Sequence, residues 1–300
     1  MGNKKISRLM VSSPKKSSGK TIISLGILKN FLDQGKNIQS FKKGPDYIDP
    51  MWLSLASGKE CYNLDSYLMG NQGCLYSFEK HALEKGNVLI EGNHGLHDGM
   101  SLDGSDSSAG LANLLDSPVL LVLDSMGMNR GAAALVTGMQ KMTPEPNIVG
   151  VILNNVRSKR QEDKQKLAIE SLCGVPVVGS IPRDEKVTIP ERNLGLTTVK
   201  EMENAEKVIK NAGDLVNRFC DMDSIESLFQ EKMNSIEIEK FEKISEKDLT
   251  INIGVFSDPA FCFYYPENIE ALRNHGANIY FINSLNDNTL PDLDGIYIGG

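Results

Sequence analysis

The N-terminal part of the chain contains a short apolar run, a loop of small residues and an amphipathic segment in direct succession between residues 8 and 31. This order predicts a strand, a phosphate-binding loop and a helix, because loop N–H groups and a helix N-terminus together hold phosphate oxygens. We expect Lys20 to neutralise terminal phosphate oxygens and the Thr21 hydroxyl to ligate Mg²⁺. The other predicted nucleotide-binding residues of this loop are Lys15, Ser17, Ser18 and Gly19.

The loop departs from the usual pattern G-x-x-x-x-G-K-[ST], because Pro14 stands where the first glycine belongs. Ser17 and Ser18 still supply small side chains, and Lys15 adds a second cation. The alternative is a Gly-Lys-Thr sequence that merely opens an ordinary helix. The upstream strand and the small-residue loop favour a nucleotide site.

Length and composition indicate about two globular domains, since the chain has 300 residues and is 40% hydrophobic. The net charge of −7 and the pI near 5.3 argue against nucleic acid as the main partner. No apolar run approaches the roughly 18 residues of a membrane span, and the first residues lack the apolar core of a signal peptide. The five cysteines are odd in number and widely spaced, so they indicate neither a disulfide framework nor a zinc site. We therefore expect a cytoplasmic protein with no membrane partner.

Strands that alternate with helices about six times predict a mostly parallel, doubly wound α/β sheet in residues 1–230. Residues 231–250 are rich in Glu, Lys and Ser, which predicts a solvated linker. Residues 251–300 show three short strands and one helix, which is too little to cover both faces of a parallel sheet. They therefore predict the start of a second, incomplete α/β domain.

The segment 42–50, which follows the second predicted strand, reads as a loop dense in turn-forming residues. It carries Asp46 and Asp49 on either side of Tyr47, at the end of the sheet where open α/β folds bind ligands. Asp46 can complete a Mg²⁺ shell, since Mg²⁺ prefers hard oxygen ligands. A turn with solvated acids fits the spacing equally well.

Two further strands end in polar residues. Glu91 follows a buried strand, where a second metal ligand or a water-orienting acid would lie in a P-loop enzyme. His94 and His97 follow, with Asp98 beside them. This histidine pair has no third ligand at suitable spacing, so the segment favours a polar loop over a metal site. Asn154 ends a later strand, where its amide can bind adenine or simply form a turn.

Eight short stretches, in order along nearly the whole chain, resemble one family, the cobyrinate a,c-diamide synthases. The most specific are the strings Gly-Pro-Asp-Tyr-Ile-Asp-Pro and Phe-Cys-Phe-Tyr-Tyr-Pro-Glu-Asn. The matching stretches are residues 17–21, 43–50, 63–65, 91–99, 150–154, 181–184, 190–195 and 261–268.

This resemblance implies an ATP-dependent amidation in two half-reactions. ATP and Mg²⁺ would phosphorylate a side-chain carboxylate of a tetrapyrrole, and ammonia would then displace the phosphate. In the family the ammonia normally comes from glutamine in a C-terminal class I glutaminase domain. The implied fold is a P-loop NTPase of the dethiobiotin-synthetase-like type joined to that domain, with a homodimer as one assembly to expect.

The resemblance also implies roles for individual residues. Thr21, Asp46 and Glu91 would hold Mg²⁺, and Asp46 and Glu91 would also be catalytic. Tyr47 and Asp98, the other two catalytic candidates, would lie near the acceptor carboxylate. The nucleotide would further contact Asn154 and Arg183, and the substrate would contact Asp49 and Arg192.

The nucleophilic cysteine of the glutaminase domain has no counterpart in this sequence, and Cys262 does not match its position. We therefore expect the chain to use free ammonia or a separate glutaminase, or to be a fragment of a longer protein. Two alternatives are a sirohaem-type amidase of sulfur metabolism and a dethiobiotin-synthetase-like ligase. A third, from another class, is a partitioning-type P-loop ATPase acting as a nucleotide-switched binding protein, which Lys15 keeps open.

Overall fold

The structure is a computed structural model that describes residues 5–82, 86–183, 189–192, 195–233 and 251–300. Its large sheet has eight strands: β1 (Lys5–Ser12), β2 (Ile38–Lys43), β3 (Tyr62–Leu64), β4 (Asn87–Glu91), β5 (Val119–Asp124), β6 (Ile148–Val156), β7 (Val177–Pro182) and β10 (Gln230–Met233). The order is β3-β2-β4-β1-β5-β6-β7, with all neighbours parallel. Strand β10 pairs antiparallel with the start of β1.

Helices cover both faces of this sheet. One face is buried by α1 (Lys20–Asp33), α2 (Ile48–Ser57), α7 (Ala205–Phe219) and α8 (Met222–Leu228). The other is buried by α3 (Ser66–His81), α4 (Ser108–Leu114), α5 (Gly131–Lys141) and α6 (Lys159–Cys173). Because successive strand residues point to opposite faces, β1 contributes Leu9 and Val11 to one apolar cluster and Met10 to the other. The doubly wound sheet predicted from the sequence is therefore confirmed.

The position of β1 in the sheet determines where a ligand can bind. The chain passes from β1 to β2 on one side and later from β4 to β5 on the other, so the strand order reverses at β1. In open α/β sheets such a reversal leaves a crevice at the carboxyl ends of the strands. The segment 13–19 begins at this crevice and leads into α1.

Residues 251–300 form a second, smaller unit. Its parallel sheet has the order β12-β11-β13, formed by β11 (Ile251–Phe256), β12 (Ala277–Ile282) and β13 (Gly295–Tyr297). Helix α9 (Pro266–Asn274) connects β11 to β12. In the first unit, a small antiparallel pair, β8 (Glu191–Arg192) with β9 (Gly195–Leu196), and a 3-10 turn at Val199–Glu201 lie between β7 and α7 along the chain.

The structure corrects the sequence analysis in the segment 42–50. Helix α2 begins at Ile48, so the predicted loop is shorter, and it is followed by a helix that we did not expect. Asp46 Oδ1 accepts hydrogen bonds from the backbone N–H groups of Ile48 (2.9 Å) and Asp49 (3.0 Å), which satisfies free donors of the first turn. Pro50 fits because proline is tolerated in a first helical turn.

The proposed domain boundaries remain predictions. Residues 230–233, which include the start of the predicted linker 231–250, form β10, and residues 234–250 lie outside the described part of the chain. None of the helices in the described ranges combines the length and the apolar character that crossing a bilayer requires.

Close packing of α1 on α7 holds the helix that starts at the phosphate loop. A Cβ atom at Gly26 would lie 2.3 Å from Val216 Cγ2 and 2.6 Å from the carbonyl oxygen of Ala212. The second contact is with backbone, which cannot rotate away. Glycine at position 26 therefore permits the two helices to approach each other.

We expect Gly26→Ala to lower the free energy of unfolding by about 1–3 kcal/mol, because overpacking outweighs the gain in helix propensity. The matched control is Gly138→Ala in α5, where a Cβ meets nothing within 4 Å. That variant should be up to about 1 kcal/mol more stable. Urea denaturation measures both, and equal effects of the two substitutions would contradict the packing argument.

Candidate functional site

The loop between β1 and α1 has the backbone of a phosphate-binding site. Ser17 and Gly19 have positive φ angles of 56° and 96°, which turn the chain sharply before the helix begins. Lys20 Nζ lies under this loop and donates to Ser13 Oγ (3.0 Å) and to the carbonyl oxygen of His94 (2.6 Å). An ammonium group has three donors, so one remains for a ligand once these two partners are counted.

The segment after β4 forms the opposite wall of this loop. The N–H of Leu96 donates to the carbonyl oxygen of Ser13 (2.6 Å), and the N–H of Gly95 donates to Asp98 Oδ2 (2.9 Å). A Cβ at Gly95 would lie 2.5 Å from both Asp98 Oδ2 and the carbonyl oxygen of Pro14. Glycine at position 95 therefore allows the two segments to touch, and it brings Asp98 close to the phosphate loop.

Side chains from β5 and β6 hold the other side of the loop. Asn154 Nδ2 donates to the carbonyl oxygen of Ser18 at 2.9 Å, and a Cβ at Gly19 would lie 2.2 Å from the same Nδ2 atom. Lys15 Nζ lies 3.2 Å from Asp124 Oδ2. In this arrangement Asn154 supports the loop backbone, and its predicted contact with adenine remains a prediction.

A buried ion cluster lies next to the phosphate loop. Lys42 Nζ is 2.7 Å from Glu91 Oε1 and 2.5 Å from Asp49 Oδ2, and Thr21 Oγ1 donates to Glu91 Oε1 at 3.1 Å. Lys42 is 1% exposed and Glu91 is 0% exposed. The cluster joins the ends of β2 and β4 to the first turns of α1 and α2, so a change at one of these residues reaches all four elements.

Lys42 is a residue of the site that its local sequence did not predict. The available signal was its position: Lys42 and Lys43 follow the apolar residues of a predicted strand and precede the Gly-Pro-Asp-Tyr string. A lysine at the end of a central parallel strand points toward the ligand-binding edge of the sheet or into the core, and both environments require a partner.

The charges in the site influence one another strongly. Burial lowers the pKa of Lys20 to about 8. Burial alone would also lower the pKa of Lys42, but the carboxylates of Asp49 and Glu91 outweigh it and raise that pKa. Burial raises the pKa of Glu91. Lys42 therefore stays cationic, and it supplies a fixed positive charge beside a carboxylate that burial makes less acidic.

The oxygen donors present fit a magnesium ion. Glu91 Oε2 is buried and has no hydrogen-bond partner among the described residues. The Thr21 hydroxyl donates to Oε1, the other oxygen of this carboxylate. Hydroxyl and carboxylate oxygens are suitable Mg²⁺ ligands, and substrate phosphates usually complete the shell. The described residues contain no group of three Cys, His, Asp or Glu side chains arranged as metal ligands. Asp46 remains the predicted third protein ligand, and its Oδ1 atom caps α2.

The remaining predicted site residues lie in different surroundings. Tyr47 stacks on Tyr265 and Phe263 of the second unit, with ring centroids 4.3 Å and 5.4 Å apart. Asp49 faces Lys42 within the ion cluster. Arg183 is exposed just after β7, and the side chain of Arg192 lies outside the described part of the structure. The structure therefore brings Lys20, Thr21, Asp46, Asp49 and Glu91 to one edge of the sheet but does not test their roles.

Comparison with known proteins agrees with this geometry. Residues 9–197 match the family model described as the CobQ/CobB/MinD/ParA nucleotide binding domain. The cobyrinate a,c-diamide synthase of Picrophilus torridus is 39% identical over 99% of this chain and 67% of its own length. The chain belongs to the cobyrinate a,c-diamide synthase family.

Other members of this family are similar over the same span. The synthase of Magnetococcus marinus is 42% identical over 99% of this chain, and that of Archaeoglobus fulgidus is 36% identical over 98%. The chain spans 64% of the length of each of these two relatives. Among solved structures, chloroplast FtsY from Physcomitrella patens gives a TM-score of 0.44 at 15% identity, covering 70% of this chain and 66% of that chain.

Lys20→Ala should weaken ATP binding at least about tenfold, because it removes the cation placed at the phosphate loop. The matched control is Lys16→Ala, which removes an exposed lysine from the same loop. It should leave the affinity within about twofold of the wild type, the range expected for an exposed charge. Calorimetric titration with ATP and Mg²⁺ gives both values, and equal affinities of the two variants would contradict the role of Lys20.

Lys42→Met should lower the free energy of unfolding by about 3–5 kcal/mol, because it leaves two buried carboxylates without their cation. The double variant Lys42→Met/Glu91→Gln removes one of the uncompensated charges and should recover part of this loss. Urea denaturation at neutral pH measures each variant. A single substitution as stable as the wild type would show that the ion cluster contributes nothing to folding.

Proposed function

We propose that this chain carries the ATP-dependent half of a tetrapyrrole amidation, in which side-chain carboxylates become amides through an acyl phosphate. The observation that carries the proposal is the cluster of Lys42, Glu91, Asp49 and Thr21 next to the phosphate loop. Together with Lys20, it puts two ammonium groups and an unpaired oxygen of Glu91 beside the place where a terminal phosphate would lie. The curated relatives are named cobyrinate a,c-diamide synthases, which supports a tetrapyrrole as the acceptor.

In the first step, an oxygen of the substrate carboxylate attacks the γ-phosphorus of ATP and ADP leaves, giving an acyl phosphate. This transfer depends on positioning and on neutralisation of charge more than on covalent help from the protein. Lys20, with its remaining donor, binds the transferred phosphoryl group, and Lys42 offsets part of the negative charge of Asp49 and Glu91. Thr21, Glu91 and Asp46 would hold Mg²⁺, and the bound ion would supply Lewis-acid neutralisation of the phosphate charge.

In the second step, ammonia attacks the acyl carbon, phosphate leaves and the nitrogen loses a proton. The carboxylate is a poor acylating agent until one of its oxygens becomes part of phosphate, which explains why ATP is spent before nitrogen is added. In this proposal Asp98 accepts the proton, and Tyr47 and Asp49 contact the substrate near its reacting carboxylate. Arg192 is our candidate for binding a second carboxylate of the macrocycle.

The source of ammonia lies outside this chemistry. The relatives are longer than this chain, and we propose that glutamine supplies the ammonia through a glutaminase, with free ammonium as a substitute in vitro. Cys262 is not the glutaminase nucleophile in this proposal, since it is 9% exposed and burial raises the pKa of its thiol. A low pKa and access to substrate are what a nucleophilic cysteine needs.

The test is incubation of the protein with ATP, Mg²⁺, ammonium chloride and cobyrinic acid, followed by mass spectrometry. We expect products in which one or two carboxyl groups have become carboxamides, with one ADP formed per amide. Lys20→Ala should abolish this conversion, and Cys262→Ser should leave it unchanged. Sirohaem-type rings, run in parallel, test the alternative acceptor.

A rate of ATP hydrolysis that changes with neither the macrocycle nor ammonium would contradict the proposal. It would favour a nucleotide-switched binding protein instead. Sedimentation with and without ATP shows whether a homodimer forms, and amidation by a monomer would separate assembly from catalysis.

A further inference from the structure

Asn63 in β3 connects the second unit to the short loop that carries Asp46. Its backbone N–H donates to Glu267 Oε1 of α9 at 2.7 Å. Its side-chain Nδ2 donates to the carbonyl oxygens of Gly44 and Asp46, both at 2.8 Å. Asn63 is 4% exposed, so water does not replace these bonds easily. Asn63 therefore makes one hydrogen bond to the second unit and two to the loop.

The same segment of the second unit touches the loop directly. The ring of Tyr47 stacks on those of Tyr265 and Phe263, at interplanar angles of 22° and 10°. Tyr265 is the residue just before α9, and Glu267 lies in the first turn of that helix. The loop is thus held by stacking on Tyr265 and Phe263 and by hydrogen bonds from Asn63, whose own backbone N–H is bound by Glu267.

Contact between the units through the carboxyl group of Glu267 costs folding free energy. Its Oε2 atom is buried without a hydrogen-bond partner among the described residues. Burial raises the pKa of this carboxyl to about 7, so keeping it ionised here at neutral pH costs folding free energy. An apolar residue would hold two surfaces together at lower cost, but it would not accept the hydrogen bond from Asn63.

Glu270, one turn further along α9, makes contacts of another kind. It accepts from Tyr62 Oη at 2.7 Å and pairs with Lys80 at 2.5 Å and with His81 at 3.1 Å. These partners lie in β3 and α3, outside the loop 44–47. Glu270 therefore fastens α9 to the first unit without contacting the loop.

We infer that the second unit positions the loop 44–47 through the relay Glu267–Asn63, with Tyr265 stacked on Tyr47 as its second support. This inference rests on the proposed function only in calling the loop part of the amidation site. A shift of the loop would move Asp46, which caps the first turn of α2, and with it Asp49, the partner of Lys42. Glu267 is thus a positioning residue, separated from the reacting atoms by Asn63 and the loop.

Hydrogen exchange on the full chain tests the relay without any need for activity. Glu267→Ala should accelerate exchange about tenfold at the amides of Gly44, Ile48 and Asp49, none of which bonds to Glu267. A tenfold change corresponds to about 1.4 kcal/mol of local opening free energy. Glu267→Gln keeps an oxygen acceptor for Asn63 and should restore slow exchange.

The matched control is Glu270→Ala, which breaks contacts between the units but none to the loop. It should leave exchange at Gly44, Ile48 and Asp49 unchanged. Asn63→Ala removes the amide that holds the loop and should accelerate exchange at the same three amides as Glu267→Ala does. The double variant should add little, because two substitutions in one relay are not additive.

Amidation driven by ammonium chloride provides the second readout, since it needs no glutaminase step. We expect Glu267→Ala to lower kcat about tenfold with an unchanged KM for ATP, because misplacement of a site loop is costly for catalysis. Glu267→Gln should recover most of the rate. If the wild type does not amidate at all, the proposed function fails, and the exchange measurements alone decide the inference.

Two results would overturn the inference. Unchanged exchange at the three amides in both Glu267→Ala and Asn63→Ala would show that the loop holds its position by itself. Equal acceleration by Glu270→Ala would show that docking of the second unit, and no relay through Asn63, orders the loop. Thermal melting of each variant identifies any that is unfolded, and Asn63→Ala then decides the outcome if Glu267→Ala does not fold.

Discussion

The buried ammonium of Lys42 is the interaction on which the candidate site depends. Two carboxylates, from Asp49 and Glu91, approach it within 2.7 Å, and the side chains of Lys42 and Glu91 are almost fully buried. Such a cluster is stable only if every charge has a partner, because an isolated buried charge costs several kcal/mol. It therefore constrains the end of β2, the end of β4 and the start of α2 to one arrangement. The hydroxyl of Thr21 adds the first turn of α1 to the same group.

The parallel sheet makes this cluster possible. Parallel strands present their carboxyl ends along one edge, and the reversal of strand order at β1 opens a crevice there. Lys20 reaches the crevice from the helix, the segment 94–98 closes one wall, and Asn154 supports the other. The second unit then acts on this edge from outside through Tyr265 and Glu267, which contact Tyr47 and Asn63. The loop 44–47 therefore borders the candidate site and also contacts the second unit.

Much of the fold could be predicted from local pattern. The apolar runs at 87–90, 118–123 and 148–153 are strands in the structure, because strands covered on both faces carry continuous apolar sequence. Helix α2 was missed because its start is dense in turn-forming residues and its first turn contains Pro50, which suits a turn and a helix N-terminus equally well. Strand β3 was missed because its three residues are too few to show the alternation of apolar and polar residues by which a strand is predicted.

The sequence by itself determined the class of site: a strand, a small-residue loop and Gly19-Lys20-Thr21 specify phosphate binding through backbone geometry and one cation. It also indicated the carboxylates Asp46, Asp49 and Glu91 as candidates, since acids at strand ends point to the ligand-binding edge. Only the tertiary structure decided which of them pair. Lys42 was identified by its position between Asp49 and Glu91, and Asn63 by its contacts on both sides. The physical reason is that charge pairing and hydrogen bonding act over a few ångströms in space between residues far apart in the chain, and no local pattern records that distance.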